Sequence, residues 1–300
     1  MNKPLVSVII PVFNDSQRLQ KCLAALDKQT YPKERYEVIV VDNASEDNIA
    51  QVVDRFQQAT YTYESQSGSY AARNRGIELA RGEILAFTDS DCLPASGWIE
   101  QGVQALVSEP QCAIVGGKIE LFFRDENDLT AVELYEKLMA FPQKRHIEKK
   151  HFTPTANLFT FKSMFQQVGS FNQNLKSNGD REWCQRCFAQ GYQLKYAERA
   201  LVLHPARYSL AQIYRRHLRI GGGRADAYRE KYHNRILYIY QVIKEVVGDI
   251  LIIPKDLLVV LLKTRYTIIE KIQVFLVLLL LKLAANGEKM RVAIGGASRN

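Results

Sequence analysis

The sequence predicts an α/β protein with a mostly parallel sheet flanked by helices. Two continuous runs of β-branched and aliphatic residues, 6–11 and 38–41, are typical of buried parallel strands. Between them lies a segment with leucines three or four residues apart, which is typical of a helix. A third strand, 84–87, follows two further helical segments. This alternation is the pattern of a parallel sheet with helices on its faces.

The individual elements are predicted from apolar spacing and from glycines at their ends. Before residue 98, the spacing predicts helices over residues 15–30, 50–58 and 71–81. Beyond it, the pattern predicts strands over 113–115, 155–161 and 201–203 and helices over 129–141, 162–168 and 181–190. Gly116 and Gly117 are interpreted as a flexible turn after the first of these strands.

Composition and charge limit the class of protein. The 300 residues suffice for one large domain or two modest ones. The 47% apolar and 24% charged residues exclude a collagen-like, low-complexity or wholly disordered chain. The formal charge of +8 is uneven, because residues 1–198 carry 22 basic and 25 acidic side chains and residues 199–300 carry 18 and 7. Basic charge beside apolar runs favours an anionic membrane surface or a phosphate-rich ligand.

The five cysteines indicate a reducing compartment. Cys184 and Cys187 form an isolated C-x-x-C pair, so we expect them to pack in the core rather than bind zinc. The short apolar run that ends at Pro11 lacks the length and flanks of a signal peptide. We therefore expect the front part of the chain to stay in the cytosol.

Polar side chains follow three of the predicted strands. They are Asn14, Asp42 and the trio Asp89-Ser90-Asp91. Ligands of parallel sheets sit beyond the carboxyl ends of the strands, so we assign these residues to one site. Two carboxylates in a D-x-D spacing suit Mg²⁺ or Mn²⁺, which keep waters and diphosphate oxygens as their other ligands. Taken alone, a D-x-D is more often a solvated turn.

An ordered series of segments resembles one enzyme family. The segments are VSVIIPVFN at 6–14, VDNASED at 41–47, GSYAARNRGIELARGEILAFTDSD at 68–91, TANLFTFKSMFQQVGSFNQNL at 155–175 and GDREWCQRCFAQGYQLKYAERALVLH at 179–204. Together they resemble the inverting family 2 glycosyltransferases of the GT-A fold, over about residues 5–210. The resemblance implies a Rossmann-like, mostly parallel sheet and a hexosyl-transferring enzyme. It also implies a nucleoside diphosphate sugar as donor, with UDP favoured and GDP or dTDP left open.

The resemblance also implies roles for single residues. For the nucleotide, it implies that Asp42 accepts from the base, in a pocket lined by Pro11, Phe13 and Asn14. It implies that Asp89 meets the ribose with Ser90 beside it, and that Arg73 reaches the base or the diphosphate. It further implies that Asp91 binds the metal, that His204 contacts the metal or the diphosphate, and that Asp180 is the general base. The family pattern often has Glu-Asp at the base, whereas this chain has Gly179-Asp180. Glu182 is the rival base, and helix capping is the alternative for both acids.

The resemblance and the composition together divide the chain into three segments. Residues 1–97 form the nucleotide-sugar-binding half, 98–210 the acceptor-binding half of the same domain, and 211–300 a basic C-terminal region of amphipathic helices. No apolar run there reaches the length of about 20 residues that spans a bilayer, so we expect peripheral or monotopic association with the cytoplasmic face. The arginine-rich segment 215–224, which contains the glycines 221–223, is interpreted as a mobile basic loop that either closes over the diphosphate or is a surface hinge.

The predicted activity is metal-dependent transfer of one sugar to a hydroxyl of a saccharide or lipid-linked acceptor. A non-catalytic sugar-binding or scaffold subunit is one alternative. A sugar-nucleotide nucleotidyltransferase is another, but the segment after the first strand, PVFNDS, lacks the glycine-rich loop that a triphosphate needs. Nucleic-acid binding ranks last, because the basic excess accompanies aliphatic runs and not an aromatic platform.

Overall fold

The computed structural model describes residues 3–262 and 266–299, which divide into two compact units. Unit 1 contains the chain up to Phe122 together with Phe141–Asn174 and Gly179–Pro205. Unit 2 contains Phe123–Ala140, Leu175–Asn178 and the chain from Ala206 onwards. Residues 1, 2, 263–265 and 300 of the predicted terminal segments lie outside the described residues. The predicted division of the chain after residues 97 and 210 stays a prediction.

Unit 1 is built on a mixed eight-stranded sheet in the order β3-β2-β1-β4-β7-β6-β8-β5. The strands are β1 (Val6–Val12), β2 (Tyr36–Asp42), β3 (Ala59–Tyr63), β4 (Ile84–Phe87), β5 (Leu93–Pro94), β6 (Cys112–Phe122), β7 (Leu158–Phe161) and β8 (Gln193–Pro205). The pairs β1–β2, β1–β4, β2–β3 and β6–β8 are parallel. The pairs with β7 and the pair β5–β8 are antiparallel. The predicted fold class, an α/β sheet flanked by helices with a helical C-terminal extension, is confirmed.

Twelve α-helices accompany the sheet in the described residues. They are α1 (Ser16–Leu26), α2 (Ile49–Val53), α3 (Ser69–Leu79), α4 (Trp98–Val107), α5 (Ala131–Met139), α6 (Gln143–Lys150), α7 (Ser163–Val168), α8 (Gly179–Ala189), α9 (Leu210–Lys231), α10 (Arg235–Leu251), α11 (Ile253–Leu261) and α12 (Ile268–Ala293). Helix α5 and helices α9–α12 belong to unit 2, and the others to unit 1. In unit 1, the Trp98 and Phe159 rings pack with centroids 4.8 Å apart and planes tilted by 54°, in a core that the fully buried aliphatic face of β1 completes.

A helix and a turn are among the predicted elements of unit 1 that differ from the structure. The helix predicted over 50–58 ends at Val53, and the chain then forms the short, half-exposed strand β3. The turn predicted at Gly116 and Gly117 is wrong, because both residues lie inside β6. A Cβ on Gly116 would lie 2.4 Å from Thr153 Oγ1, and one on Gly117 would lie 2.3 Å from Ala200 O. These glycines therefore permit close packing of the strand rather than a turn.

The mobile loop predicted over residues 215–224 is also wrong, because helix α9 covers that whole segment. The three glycines lie in the middle of α9 and are buried. A Cβ on Gly221 would lie 2.4 Å from the backbone oxygen of Ala285 in α12, and one on Gly223 would lie 2.9 Å from Ser177. Close packing of two backbones outweighs the entropic cost of glycine in a helix, which is about 1 kcal/mol per residue.

The helices of the C-terminal region bear on the question of membrane insertion. Within residues 3–262 and 266–299, none of the helices is both long enough and apolar enough to traverse a bilayer.

The close contact between α9 and α12 predicts opposite effects for two glycine-to-alanine substitutions. Gly221→Ala should lower the free energy of unfolding by about 1–3 kcal/mol, because the new methyl group must displace backbone. The matched variant Gly248→Ala, at a helical glycine whose Cβ would meet nothing within 4 Å, should raise it by about 0.5–1 kcal/mol. Urea and thermal denaturation of both variants measure the effects. Equal stability of the two variants would contradict the packing of α9.

Candidate functional site

The parallel strands of unit 1 bring the predicted site residues to one edge of the sheet. Val12 of β1 is in register with Asp42 of β2, and Ile9 is in register with Phe87 of β4. The carboxyl ends of the three strands therefore meet, and the polar residues that follow each strand lie at the same edge. Pro11 is tolerated within β1 because the pairing with β4 ends two residues earlier, at Ile9.

Asp42 is a buried carboxylate at the end of β2. Its Oδ2 accepts from the Tyr61 hydroxyl at 3.1 Å, and its Oδ1 accepts from the Ser45 backbone N–H at 2.9 Å. Tyr61 comes from β3, the strand that the sequence analysis missed. Each carboxylate oxygen can accept two hydrogen bonds and accepts one within the described residues, so Asp42 can accept a further hydrogen bond from a ligand.

Asn14 ties together the two loops that follow β1 and β2. Its side-chain oxygen accepts from the Glu46 backbone N–H at 2.7 Å, and its own N–H donates to Ser45 Oγ at 2.9 Å. Its φ of 49° lies in the left-handed region, which asparagine tolerates better than most residues. Beside it, the Phe13 ring is 62% exposed and is therefore available for stacking. The side chain and backbone of Asn14 thus hold the loop after β1 against the loop after β2.

Arg73 is a buried guanidinium on α3. Its Nη2 contacts Asp89 Oδ1 at 2.5 Å, its Nη1 donates to Ser69 O at 3.2 Å, and its plane lies over the Tyr70 ring at 5.6 Å. Among the described residues, its Nε has no hydrogen-bond partner. Helix α3 can lie this close to the sheet because a Cβ on Gly76 would come within 2.5 Å of Ile9.

A cluster of possible metal ligands lies beyond β4. Asp89, Asp91, Cys92 and His204 each offer a ligand atom, and these atoms lie within 4.8 Å of one another. His204 Nε2 is 3.8 Å from Asp91 Oδ1. Its Nδ1 lies 2.8 Å from the Pro205 carbonyl, which can only accept, so the proton sits on Nδ1 and the Nε2 lone pair points away from it.

The donor set of this cluster fits a hard divalent cation. Two carboxylates and one imidazole are ligands that Mg²⁺ or Mn²⁺ accept. Cys92 fits poorly, because burial raises the pKa of its thiol well above the usual value and keeps it protonated. Asp91 and His204 are the ligands without a stronger competing contact, since Asp89 is engaged with Arg73.

Asp15 and Arg18 extend the cluster, and the sequence analysis did not identify either. Ser90 Oγ donates to Asp15 Oδ2 at 3.1 Å, and Arg18 Nε contacts Asp15 Oδ1 at 2.7 Å. Arg18 Nη1 also lies 3.8 Å from Asp91 Oδ2. Burial, together with the charge of Asp91, raises the pKa of Asp15. The position of Asp15 directly before α1 is the ordinary place for a capping acid, which is why its sequence gives no functional signal.

Asp180 lies in the first turn of α8. Its Oδ1 accepts from the Arg181 N–H at 2.8 Å and from the Tyr70 hydroxyl at 3.2 Å. Burial raises the pKa of its carboxyl, and these hydrogen bonds together with the positive charge of Arg73 partly offset the rise. Arg73 therefore forms an ion pair with Asp89, and its positive charge also opposes the rise in the pKa of Asp180 without a direct contact.

Glu182, the rival base, is already engaged by another residue. Its Oε1 accepts from Arg186 Nε at 2.6 Å, and the same guanidinium donates to the carbonyls of Val168 and Ser170. This arrangement fixes the end of α7 against α8. This contact gives Glu182 a structural role in unit 1.

The family model for glycosyl transferase family 2 matches residues 7–169. The chain is 40% identical over 230 residues to the glycosyltransferase AglE of Haloferax volcanii, which covers 75% of this chain and 74% of that protein. The residues that the family model matches include the strand ends, Arg73 and the acid cluster up to Asp91.

Two solved structures share the fold. A mannosyltransferase of Pyrobaculum calidifontis, in complex with GDP-Man and Mn²⁺, has a TM-score of 0.60 and 22% identity and covers 76% of this chain and 65% of its own. TarS 1–349 of S. aureus, in complex with UDP-GlcNAc, has a TM-score of 0.54 and 20% identity and covers 73% of this chain and 66% of its own. The chain thus spans about two thirds of each of these structures, and the likeness concerns the GT-A fold.

Proposed function

The chain belongs to glycosyl transferase family 2 and is a glycosyltransferase, and we propose that it transfers one sugar from a nucleoside diphosphate sugar to a hydroxyl of a saccharide or lipid-linked acceptor. We further propose a single displacement that inverts the anomeric centre. The observation that carries the proposal is the position of Arg73, which is paired with Asp89 on the donor side and whose positive charge partly offsets the rise that burial causes in the pKa of Asp180.

The donor side of the proposal rests on the strand ends of β1, β2 and β4. Asp42 has acceptor capacity for the base, and the exposed ring of Phe13 with Pro11 and Asn14 forms the surrounding wall. Asp89 and Ser90 face the ribose in this proposal, with Arg73 beside the diphosphate. The neighbours in complex with GDP-Man and UDP-GlcNAc support a nucleoside diphosphate sugar as the donor class. UDP is the nucleotide to test first.

The metal of the proposal is Mg²⁺ or Mn²⁺, held by Asp91 and His204. Support comes from the donor set and from the Mn²⁺ in the mannosyltransferase complex. When bound, such a cation stabilises the negative charge that grows on the diphosphate as the bond to the sugar breaks. The chain itself orients these ligands through the Nδ1 hydrogen bond of His204 and the contact between Arg18 and Asp91.

Asp180 is the proposed general base. The acceptor oxygen attacks the anomeric carbon, its proton passes to the Asp180 carboxylate, and the electron pair of the breaking bond stays on the diphosphate oxygen. The raised pKa of Asp180 brings its proton affinity closer to that needed at neutral pH, while the Tyr70 hydroxyl and the Arg181 N–H hold the carboxylate in place. The residue as a whole is half-buried rather than fully enclosed.

A pair of isosteric variants separates the base from the metal ligand. Asp180→Asn should lose at least about a hundredfold of the transfer rate and bind UDP and Mn²⁺ as the parent does, because only proton acceptance is removed. Asp91→Asn should weaken Mn²⁺ binding and transfer together. Sugar transfer, UDP titration and Mn²⁺ titration measure the three properties. Full transfer by Asp180→Asn would remove Asp180 from the base role, and unchanged Mn²⁺ affinity of Asp91→Asn would remove Asp91 from the metal site.

We also propose that unit 2 docks peripherally on the cytoplasmic face of a membrane. Helix α10 carries two apolar faces, of which one packs through Tyr238 and Val242 in a core with α9 and α12. The other face is exposed and has apolar residues at spacings of three and four: Ile236, Tyr240, Ile243, Val247 and Ile250. An exposed apolar stripe of this length on a helix that is already packed is typical of an interfacial segment.

The charges around this stripe favour an anionic lipid surface as its occupant. The acids of α10–α12 are engaged within unit 2, for example Asp256 with Lys282 and Asp249 with Lys289. In the described part of the chain, the exposed cations Arg235, Lys244 and Lys255 have no hydrogen bond or ion pair. Unpaired cations beside an apolar stripe complement phosphate headgroups. The free cysteines of the described chain support the cytoplasmic side.

A vesicle assay tests the docking proposal. The variant Ile236→Glu/Ile243→Glu/Ile250→Glu should bind vesicles of phosphatidylcholine and phosphatidylglycerol at least about tenfold more weakly than the parent, because three carboxylates enter the apolar stripe. The control Leu79→Glu/Val107→Glu/Phe188→Glu changes three comparably exposed residues of unit 1 and should bind as the parent does. Co-sedimentation measures both. Equal binding of the two variants, or binding to pure phosphatidylcholine alone, would contradict the proposal.

A further inference from the structure

Helix α12 of unit 2 exposes a continuous stripe of residues along one side. The stripe residues alternate at spacings of four and three and are all exposed: Ile269, Gln273, Leu276, Leu280, Leu283, Gly287, Met290 and the C-cap residue Ile294. We call this set the α12 stripe, and six of its eight members are large and apolar. The opposite side of α12 is buried through Val274, Val277 and Leu281 in cores with α5, α9 and α11. A helix that is apolar on both sides is typical of one that protein or lipid surrounds.

The spacing of the α12 stripe is that of a coiled-coil seam. Steps that alternate between four and three residues average about 3.5, which keeps a seam turned towards a partner helix over several turns. From Ile269 to Ile294 the stripe is about 38 Å long, at the usual rise of about 1.5 Å per residue. The pattern therefore predicts contact with a second helix along most of α12.

Gly287 lies in the α12 stripe, although the packing of the described chain does not require a glycine there. A Cβ on Gly287 would meet nothing within 4 Å among the described residues, whereas one on Gly221 of α9 would lie 2.4 Å from a backbone oxygen of α12. Its φ is not positive, so the backbone does not require a glycine either. Glycine inside an exposed helix is destabilising relative to alanine. A large side chain that approaches from a partner helix would use the space that this glycine leaves.

An open groove borders the α12 stripe and gives it depth. The groove has a volume of about 350 Å³, with Leu280, Leu283 and Gly287 of α12 on one side and Tyr214 and Leu218 of α9 on the other. Packed helices fit the ridges of one surface into the grooves of the next, whereas fluid lipid chains need no such relief. The shape of this surface therefore favours a protein as its occupant.

The charges of α12 also favour a protein over a lipid surface. All four cations of α12 are engaged within unit 2: Lys271 with the Leu261 carbonyl, Lys282 with Asp256, Lys289 with Glu245 and Asp249, and Arg291 with Glu288. By contrast, Arg235 and Lys244 of α10 form no hydrogen bond or ion pair within the described residues. A cation that is already paired within the protein adds little attraction to anionic headgroups. The apolar face of α10 thus matches an anionic membrane better than the α12 stripe does.

The α12 stripe is complementary to itself when two copies of the helix run antiparallel. A two-fold axis that sets Leu280 of one copy opposite Leu283 of the other also sets Leu276 opposite Gly287. A large side chain then meets the bare backbone of a glycine, and the two-fold axis repeats this contact. A parallel pair would instead set Gly287 against itself and leave a gap. Shape complementarity therefore favours the antiparallel direction.

The same antiparallel alignment brings opposite charges together beside the seam. Glu270 follows Ile269 and Arg291 follows Met290, so both charged residues flank the stripe on the same side. In the antiparallel pair, Glu270 of one copy lies beside Arg291 of the other, and the two-fold axis repeats the contact. Exposed ion pairs add little affinity, but they favour one direction of pairing over the other.

We propose that the α12 stripe is the interface of a homodimer in which the α12 helices of two copies pack antiparallel about a two-fold axis. The occupant is a second copy of this chain, because one surface supplies both the protruding side chains and the space for them, and both charges beside the seam. The interface lies in unit 2 and uses neither the donor site nor Asp180. The proposal is therefore independent of the proposed sugar transfer.

Sedimentation equilibrium of the full chain, from about 1 to about 100 μM, tests the proposal. The parent should shift from the mass of one chain towards that of two as its concentration rises. Leu276→Glu/Leu283→Glu should dimerise at least about tenfold more weakly, because two carboxylates enter the seam. The control Ile236→Glu/Ile250→Glu changes two exposed apolar residues of α10 and should dimerise as the parent does.

Gly287→Leu separates the interface from the fold. It should weaken dimerisation at least about tenfold, because the new side chain occupies the space that receives Leu276 from the other copy. It should leave the melting temperature of the dilute monomer no lower than that of the parent, because the new side chain meets nothing within its own described chain and leucine is the better helix former.

Cysteine cross-linking tests the direction of the pair. An equimolar mixture of Ile269→Cys and Ile294→Cys should form a disulfide-linked dimer with oxidised glutathione, because the antiparallel alignment sets these two positions opposite each other. Ile269→Cys alone should not cross-link, because its two copies lie at opposite ends of the seam. The native cysteines of the described chain are buried and should not react.

Four results would overturn the proposal: the parent stays monomeric throughout, Leu276→Glu/Leu283→Glu dimerises as the parent does, the α10 control loses as much affinity, or Ile269→Cys alone cross-links. Vesicle co-sedimentation of the same samples tests lipid as the occupant. The α12 variant should bind vesicles of phosphatidylcholine and phosphatidylglycerol as the parent does. A loss of vesicle binding equal to that of the α10 variant would assign the α12 stripe to the membrane and contradict the homodimer.

Discussion

The ion pair between Arg73 and Asp89 is the constraint on which the rest of the site depends. A buried guanidinium is costly unless an anion compensates it, and Asp89 supplies that anion at 2.5 Å. The pair requires α3 to lie close to β1, which Gly76 permits. It therefore fixes the end of β4, and with it Asp91, relative to the helix that also carries Tyr70.

The same guanidinium contributes to the pKa of the proposed base, Asp180. Burial alone would raise the pKa of Asp180, and the nearby positive charge opposes that rise without a direct contact. Tyr70 lies three residues before Arg73 on α3 and donates to Asp180, so one helix provides both the field and the hydrogen bond. The donor-side acid and the base are in this way coupled through a single helix turn.

Much of this arrangement could be predicted from the sequence because it depends on local pattern. Continuous apolar runs identify β1, β2 and β4, and the rule that ligands gather at strand ends then identifies Asp42 and Asp89. Tyr61 could not be found, because β3 is short and half-exposed and lacks an apolar run. That Asn14 holds two loops together also depends on a partner loop far along the chain.

Glycine was the least informative residue type in the sequence. Glycines at 116–117 and 221–223 predicted a turn and a loop, yet they lie in a strand and a helix. A glycine in the sequence can be required for either of two reasons: the backbone adopts a conformation that other residues disfavour, or a neighbouring segment packs too closely for a side chain. The sequence alone does not distinguish the two. For Gly221, the neighbour is a carbonyl more than sixty residues later in the chain.

The most direct measurement of the central claim is a carboxyl ¹³C titration of Asp180 in the parent and in Arg73→Gln. Removal of the positive charge should raise the pKa of Asp180, because the ionised carboxylate loses its stabilising field. Arg75→Gln, on the exposed side of the same helix and paired with Glu78, serves as the control and should leave that pKa where it is in the parent. An unchanged or lowered pKa in Arg73→Gln would show that α3 does not couple the two acids, and would contradict the account.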